Sequence, residues 1–277
     1  MSVIKALILG IIQGLTEFLP VSSSGHLVIF QTVLGTDNNS ADLMFDSLLH
    51  LGTLIAVFIV FKETIFKLVI AFSDMIKLIL TGKFRIKNAT DEQKLILFLI
   101  VSIMPLFLIL PVKDYIETAY TSITLTGTAL IVTSLLLFIS DKVVGNKATA
   151  KEMKLKHALA IGFTQAFAIF PGISRSGSTI TSGIMCGLDR EFAAQYSFIL
   201  SIPTILAGVI LNLSDIATTG NFNPSLIPEY IAGTAAAAIS GLLSIKLLQK
   251  LLKTKKFIIF SIYCLAVGLF AIIYGIV

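Results

Sequence analysis

The chain has 277 residues, of which 56% are hydrophobic and 13% charged, and its mean hydropathy is +0.94. Average soluble proteins carry about 25% charged residues, so this composition excludes a water-soluble globule, a disordered chain, a collagen-like fibre and a disulfide scaffold. It predicts an integral membrane protein, in which the net charge of +5 reports orientation and no nucleic-acid partner is expected.

The first apolar stretch covers residues 3–34 and is broken in the middle by PVSSSGH at 20–26. Proline, glycine and serine free the backbone from helical bonding, and such backbone persists at membrane depth only inside protein or beside an aqueous cavity. The stretch predicts a re-entrant helix–loop–helix hairpin, which enters and leaves the membrane on one side. We expect no cleavable signal here, because Glu17 and Pro20 lie inside the would-be apolar core.

Six later stretches are long enough for spanning helices, which need about 20 mostly apolar residues each. They cover approximately 43–61, 93–111, 122–140, 192–212, 227–245 and 257–276. Between the first two, residues 63–80 mix Ile, Leu and Phe with Lys67, Asp74 and Lys77, which predicts an amphipathic helix at the membrane interface.

A second broken stretch, residues 157–189, lies between the third and fourth spans and contains PGISRSGST at 171–179. It predicts a second re-entrant hairpin and is partly a copy of the first. At a constant offset of 152, identical residues pair Gly10, Gln13, Phe18, Ser22, Ser24 and Gly25 with Gly162, Gln165, Phe170, Ser174, Ser176 and Gly177. We therefore expect the two hairpin tips to meet near the middle of the bilayer.

The repeat divides a single integral membrane domain into halves of about 1–140 and about 155–277. Each half contains one hairpin and three spans, so the halves have opposite orientations, as in the inverted repeats of transporters. The predicted fold is an all-α polytopic membrane protein with six transmembrane helices and two re-entrant helix–loop–helix hairpins in an inverted repeat.

The lysine and arginine residues give the predicted orientation. The loops at 62–92, 141–157 and 246–256 carry most of them, whereas the loop at 112–121 has only Lys113 and the loop at 213–226 has none. By the positive-inside rule the rich loops are cytoplasmic and both termini face outside. The first hairpin then enters from outside and the second from the cytoplasm.

The deep ionisable residues lie in the hairpins: Glu17, His26 and Arg175. Intramembrane charges are costly and are functional by default. Gln13 and Glu17 are four residues apart, so both polar ends lie on one helical face. The alternatives are a glutamate that is only paired locally and a histidine that is a satisfied core residue.

A serine run follows the first pair. Ser22, Ser23 and Ser24 stand beside Glu17 and His26, a set that supplies a nucleophile, a base and hydrogen-bond donors. A serine run by itself is more often a turn or a helix cap. The run is therefore a candidate site because of its charged neighbours.

The second break has the composition of an anion cradle. Glycines allow close backbone approach, Ser174, Ser176 and Thr179 supply hydroxyls, and Arg175 matches phosphate oxygens with its planar fork. These residues are the predicted phosphate-binding set. The alternative is that Ser-Arg-Ser only caps a helix and pairs with Glu17.

Asp46 and His50 form a further pair four residues apart, at the start of the first span. A metal or substrate role and a water-facing pair at a helix end are both compatible with this position.

Two motifs together resemble those of the undecaprenyl-diphosphate phosphatase family, the membrane enzymes associated with bacitracin resistance. The first is Gln13-x-x-x-Glu17 followed by FLPVSSSGH at 18–26, and the second is PGISRSG at 171–177. Phe45-Asp46 and Leu51-Gly52-Thr53 also fit, so the resemblance covers essentially the whole chain.

The resemblance implies hydrolysis of undecaprenyl diphosphate to undecaprenyl phosphate, the lipid carrier for peptidoglycan and other wall polymers. It also implies a bacterial plasma-membrane location, with the active site and both termini outside, and a homodimer is a candidate assembly. Its functional residues carry over to Gln13, Glu17, Ser22, Ser23, Ser24, His26, Ser174 and Arg175. A divalent cation, Mg²⁺ or Ca²⁺, is expected, with Glu17 as its protein ligand. Gln13 replaces a glutamate found in some members, which removes a candidate metal ligand.

We predict that Arg175 and Ser174 hold the transferring phosphate, that Ser23 attacks it, and that His26 shuttles the proton. Glu17 would either orient His26 or hold the divalent cation. Direct attack by a water that His26 or Glu17 activates is the rival chemistry. A secondary transporter or flippase of a lipid or anion is the alternative function, because inverted repeats with broken helices are typical of transporters. A non-catalytic lipid-binding subunit is the third.

Overall fold

The computed structural model describes residues 1–35, 43–109, 122–143, 148–219, 223–252 and 257–276, together with Pro111 and Ile116. These residues form eleven α-helices. They are α1 (Val3–Phe18), α2 (Ser23–Val33), α3 (Leu43–Val60), α4 (Lys62–Leu80), α5 (Asp91–Ile103), α6 (Ile123–Lys142), α7 (Leu155–Phe167), α8 (Arg175–Met185), α9 (Arg190–Thr219), α10 (Ile227–Leu252) and α11 (Ile258–Ile276). Lys113, used for the predicted orientation, lies outside the described residues, as do parts of the loops at 112–121, 141–157, 213–226 and 246–256.

Among the described residues, four helices are long and apolar enough to cross a membrane. They correspond to α3, α6, most of α9, and α10 with the turn before it, which agrees with four of the predicted spans. A shorter apolar helix, Ile258–Tyr274 within α11, covers the last predicted span. The chain is thus an all-helical, multi-pass membrane protein.

Residues 93–111, one of the predicted spans, do not form one continuous α-helix, and their crossing of the membrane stays a prediction. Helix α5 ends at Ile103, and the chain continues as a 3₁₀-helix over Met104–Leu108. Pro105 causes the change, because proline has no N–H for the helical bond and its ring clashes with the carbonyl four residues earlier.

Helix α4 confirms a separate helix where the amphipathic segment was predicted. Its buried side chains are Leu68 and Met75, while apolar side chains such as Phe66 and Val69 are exposed. Lys77 and Asp74 pair on its surface at 3.4 Å. Its position at a membrane interface stays a prediction.

Both predicted breaks are present, and both end with the same cap. Ser22 precedes α2 and its Oγ accepts a hydrogen bond from the Gly25 amide at 3.2 Å. Ser174 precedes α8 and its Oγ accepts one from the Gly177 amide at 3.0 Å. A serine at this position satisfies an amide that the first helical turn leaves unpaired. The repeated serine and glycine of the sequence are therefore paired helix caps.

The two breaks touch, as the repeat predicts. A Cβ on Gly25 would lie 2.9 Å from the Gly172 Cα, so only glycine permits this approach. Ser176 Oγ donates to the Leu19 carbonyl at 3.0 Å. Thr133 of α6 fixes the second break from outside, because its hydroxyl donates to the Gly172 carbonyl at 2.8 Å and accepts from the Ser174 amide at 3.0 Å.

Small residues let the helices behind the breaks pack closely. A Cβ on Gly14 of α1 would lie 2.4 Å from the Ala237 carbonyl oxygen of α10 and 2.0 Å from Ser240 Oγ. Such small-residue contacts are typical of membrane helix pairs, where backbones approach without bulky side chains between them. Below the first break, Phe18 packs edge-on against Phe198 with ring centroids 5.6 Å apart.

We expect Gly14→Ala to lower the thermal stability of the detergent-solubilised protein, because the added methyl group forces α1 and α10 apart, a cost of about 1–3 kcal/mol. Gly208→Ala is the matched control: Gly208 also lies in a helix, but a Cβ there meets nothing within 4 Å. Its stability should be unchanged or slightly higher, since alanine favours helix. Equal melting temperatures for the two variants would contradict the close packing.

Candidate functional site

Glu17, in the last turn of α1, is the centre of the site. Its Oε1 accepts a hydrogen bond from the Arg175 guanidinium, with which it forms an ion pair. Its Oε2 accepts from Gln13 Nε2 at 2.8 Å and from Ser23 Oγ at 2.6 Å. Three separate segments (α1, the start of α2 and the start of α8) therefore meet at one carboxylate.

Two contacts at Glu17 were predicted from the sequence. The four-residue spacing of Gln13 and Glu17 places both side chains on one helical face. The pairing of Arg175 with Glu17 is the arrangement that the sequence left open as the alternative to a phosphate-binding role. The Glu17 side chain is 4% exposed and that of Arg175 is 16% exposed, so the pair is largely desolvated. Removing either partner would leave an uncompensated charge inside the protein.

The three serines of the run, Ser22, Ser23 and Ser24, make different contacts. Ser23 is the first residue of α2 and its hydroxyl contacts Glu17, while Ser22 caps the helix. Ser22 has a positive φ of 70°, a strained conformation for a non-glycine residue that turns the chain sharply at the tip. Ser24 Oγ lies 3.4 Å from Ser22 Oγ. All three serines line the same cavity.

The second break lines the opposite side of this cavity with Ser174, Arg175 and Ser176. The Ser174 and Ser176 hydroxyls are 3.2 Å apart. Thr179 is not among the residues found lining the cavity. Its hydroxyl donates to the Arg175 carbonyl at 2.8 Å and lies 2.6 Å from Ser197 Oγ of α9, so it supports Arg175 from behind.

His26 does not reach Ser23. Its Nδ1 lies 2.8 Å from the Ser22 carbonyl oxygen and its Nε2 lies 2.7 Å from the Tyr263 hydroxyl of α11. The two rings are nearly parallel, with centroids 5.5 Å apart. The structure thus places His26 as a satisfied core residue, the alternative that the sequence left open, and Ser23 meets Glu17 where the proton shuttle was predicted.

His50 is the histidine that the structure brings to the cavity. Its Nδ1 lies 2.9 Å from Gln13 Nε2 and 3.5 Å from Glu17 Oε2. Asp46, its predicted companion, accepts instead from Gln31 Nε2 at 3.4 Å. Spacing along α3 indicated the pair, but only the packing of α3 against α1 selects which member faces the site.

The cavity has a volume of about 280 Å³. Its polar lining includes residues that sequence reasoning missed; they are Ser47, Gln165, Thr204 and Asn212. Asn212 Nδ2 donates to Ser47 Oγ at 3.1 Å, which joins α9 to α3. Gln165 carried a usable signal, since it is the repeat counterpart of Gln13. The apolar lining includes Ile173, Ile205 and Val209.

The protein side chains here supply too few ligands for a divalent cation, so a cation fits the site only if the substrate supplies further ligands. No group of three or more His, Cys, Asp or Glu side chains that could hold a metal occurs in the described part of the chain. Gln13 Oε1, however, is buried without a hydrogen-bond partner, beside the Glu17 carboxylate. Mg²⁺ is commonly held by one or two protein oxygens together with substrate phosphates. Glu17 and Gln13 would be the protein ligands here.

Comparisons with known proteins agree with the resemblance seen in the sequence. The family model described as "Bacitracin resistance protein BacA" matches residues 6–270. A relative named undecaprenyl-diphosphatase from Methanosphaera stadtmanae is 40% identical, with 100% of this chain and 99% of the relative covered. Relatives of the same name from Halothermothrix orenii and Alkaliphilus metalliredigens are 39% and 40% identical, each with 99% of this chain covered and with 98% and 99% of the relative covered.

The relatives include archaeal proteins, so the similarity does not restrict the chain to bacteria. The matched region contains both breaks and every residue that contacts Glu17. Because the match extends over nearly the whole chain and includes both breaks, the chain belongs to the bacitracin resistance protein BacA family.

Proposed function

We propose that this protein is an undecaprenyl-diphosphatase, which hydrolyses undecaprenyl diphosphate to undecaprenyl phosphate and inorganic phosphate. Relatives that match the full chain carry this name. The observation that carries the proposal is the contact of Ser23 and Arg175 with the same buried carboxylate at the wall of a cavity. A hydroxyl, a carboxylate and a guanidinium can serve in phosphoryl transfer as nucleophile, base and charge-stabilising group.

The diphosphate head group binds in the cavity between the two breaks. Arg175 offers the guanidinium donors that Glu17 does not use, and the Ser174 hydroxyl lies beside it. Ser176, whose hydroxyl donates to the Leu19 carbonyl, lines the same wall of the cavity. The first turn of α8 adds the positive end of a helix dipole. The isoprenoid tail leaves along apolar lining residues such as Ile205 and Val209.

The chemistry proceeds in two steps through Ser23. Its oxygen attacks the terminal phosphorus, its proton passes to Glu17 Oε2 at 2.6 Å, and the bond to the bridging oxygen breaks to release undecaprenyl phosphate. A water then attacks the phosphoserine, the bond from phosphorus to Ser23 Oγ breaks, Glu17 returns the proton to Ser23 Oγ, and both protons of the water leave with inorganic phosphate. Arg175 neutralises the oxygens of the transferring group. A divalent cation bound by Glu17 and Gln13 would polarise the phosphoryl oxygens.

The membrane arrangement that we propose has six crossings, two re-entrant hairpins and a cavity that opens outside. The broken helices, their contact and the lysine-rich loops support it. Assembly as a homodimer stays a prediction. A secondary transporter or flippase is the second candidate function, favoured by the repeat and by helices that break at a cavity.

Phosphate release by the purified protein tests the function. We expect Arg175→Ala and Ser23→Ala to lower kcat/KM for undecaprenyl diphosphate by about 10³-fold or more, because each removes a group that stabilises or performs the transfer. Arg175→Lys keeps the charge but loses the planar fork, so it should recover stability and only part of the activity.

Ser178→Ala is the matched control, because Ser178 is a buried serine of α8 that is not among the cavity-lining residues. The activity of Ser178→Ala should stay near that of the wild type. In the active protein, a phosphoserine intermediate should be trapped at Ser23. Wild-type activity in Ser23→Ala would favour direct attack by water. Uptake into sealed vesicles without phosphate release would favour the transporter.

Removal of divalent cations is expected to abolish phosphate release, because Glu17 and Gln13 supply too few ligands to retain the ion without substrate. Adding Mg²⁺ or Ca²⁺ back should restore it. The melting temperature should change little on chelation, since the ion pair with Arg175 already satisfies Glu17. Full activity in excess chelator would contradict the cation.

Cysteine labelling tests the orientation. In a background of Cys186→Ser and Cys264→Ala, the added cysteine of Ser225→Cys should react with an impermeant maleimide in intact cells. That of Lys83→Cys should react only after permeabilisation, because Lys83 lies in a lysine-rich loop. Both positions are exposed on the protein surface. The reverse labelling pattern would invert the orientation.

A further inference from the structure

Gln13 has an unusual position for a buried amide. It is fully buried, and its Nε2 lies within hydrogen-bond distance of two acceptors, Glu17 Oε2 at 2.8 Å and His50 Nδ1 at 2.9 Å. The amide group has two N–H donors, so it can serve both at once. One side chain of α1 therefore links the carboxylate to a histidine of α3.

The orientation of this amide follows from charge. If its oxygen and nitrogen were exchanged, the oxygen would face the Glu17 carboxylate at 2.8 Å, and two acceptors would repel each other. The NH₂ group must therefore face Glu17 and His50. Because it donates to His50 Nδ1, that nitrogen carries no proton, and the proton of the neutral imidazole is on Nε2.

The position of His50 leaves Nε2 available. The His50 side chain is 32% exposed and lines the cavity, whereas the Glu17 side chain is 4% exposed. Within the described residues, the hydrogen bonds of the imidazole all involve Nδ1. The other two histidines differ: both nitrogens of His26 have partners, and His157 Nδ1 accepts from the Lys154 amide at 3.2 Å, away from the cavity.

We propose that His50 is a further substrate-contacting residue, and that Gln13 holds it as the Nε2–H tautomer so that it donates a hydrogen bond to a phosphoryl oxygen of the bound diphosphate. Gln13 is then a positioning residue that acts through His50. The proposal rests on the proposed function for the identity of the ligand. A phosphoryl oxygen only accepts, so the opposite tautomer would present a lone pair to a lone pair.

This role also explains why an amide suits position 13 in this chain. A glutamate there would accept from His50 where Gln13 donates, and it would place a second carboxylate beside Glu17. Gln13→Glu is therefore expected to move the His50 proton to Nδ1. The site would then lose a donor that faces the substrate.

Nitrogen NMR of the full-length protein labelled with ¹⁵N-histidine tests the tautomer directly. The chain has only three histidines, so His50→Gln assigns the resonances by loss of one pair. In the wild type we expect His50 Nε2 to be protonated and Nδ1 unprotonated, with the reverse in Gln13→Glu. Inorganic diphosphate should shift the Nε2 resonance of His50 and leave that of His157 unchanged.

Activity gives the second readout. His50→Ala should lower kcat/KM by about 10- to 100-fold, the usual loss for one hydrogen bond to a charged group. His50→Gln should recover part of it, because its amide can donate from a similar position. His157→Gln is the matched control and should retain wild-type activity.

The possible failures are separable. A wild-type protein that releases no phosphate would overturn the proposed function and leave the tautomer measurement standing. An active wild type whose His50 carries its proton on Nδ1 would overturn the inference alone. So would full activity in His50→Ala. Unchanged resonances of His26 and His157 in each variant show that the protein is folded.

Discussion

The ion pair between Glu17 and Arg175 joins the two broken helical stretches next to their breaks, at the last turn of α1 and the first residue of α8. Glu17 is buried and Arg175 is only 16% exposed, so each charge depends on the other, and breaking a buried pair costs about 3–5 kcal/mol. The pair also orders its surroundings. Gln13 and Ser23 donate to the same carboxylate, and Gln13 extends the network to His50.

Hydrogen bonds and close glycine contacts stabilise the two non-helical breaks next to this ion pair inside the protein. Each break ends in a serine cap, and the caps leave the first turns of α2 and α8 pointing into one cavity. Gly25 and Gly172 allow the segments to touch, and Thr133 satisfies the polar backbone of the second. Unpaired backbone groups are costly away from water, so these bonds are conditions for the fold itself.

The sequence predicted much of this, and its failures have physical causes. The contact of Gln13 with Glu17 follows from their four-residue spacing on one helix. The need of Arg175 for an anionic partner follows from the cost of an unpaired charge inside the membrane. The contact of the tips followed from the repeat. The contact of His26 with Tyr263 was not predicted, because the two residues are 237 positions apart and no local spacing reveals that contact. His50 was left ambiguous because the rotation of α3 about its axis decides which side faces α1. The end of α5 near Pro105 was not predicted, because the span at 93–111 was assigned from its continuous apolar composition alone.

The offset of 152 that relates the two halves also pairs Ser23 with Arg175. Both are the first residue of their helix, both follow a capping serine, and both reach the same carboxylate from opposite sides. The two equivalent positions therefore carry different groups, a hydroxyl in one and a guanidinium in the other. Two identical halves would offer only two serines or two arginines at these positions. The proposed reaction uses one of each, so it depends on the difference between the two halves of this chain.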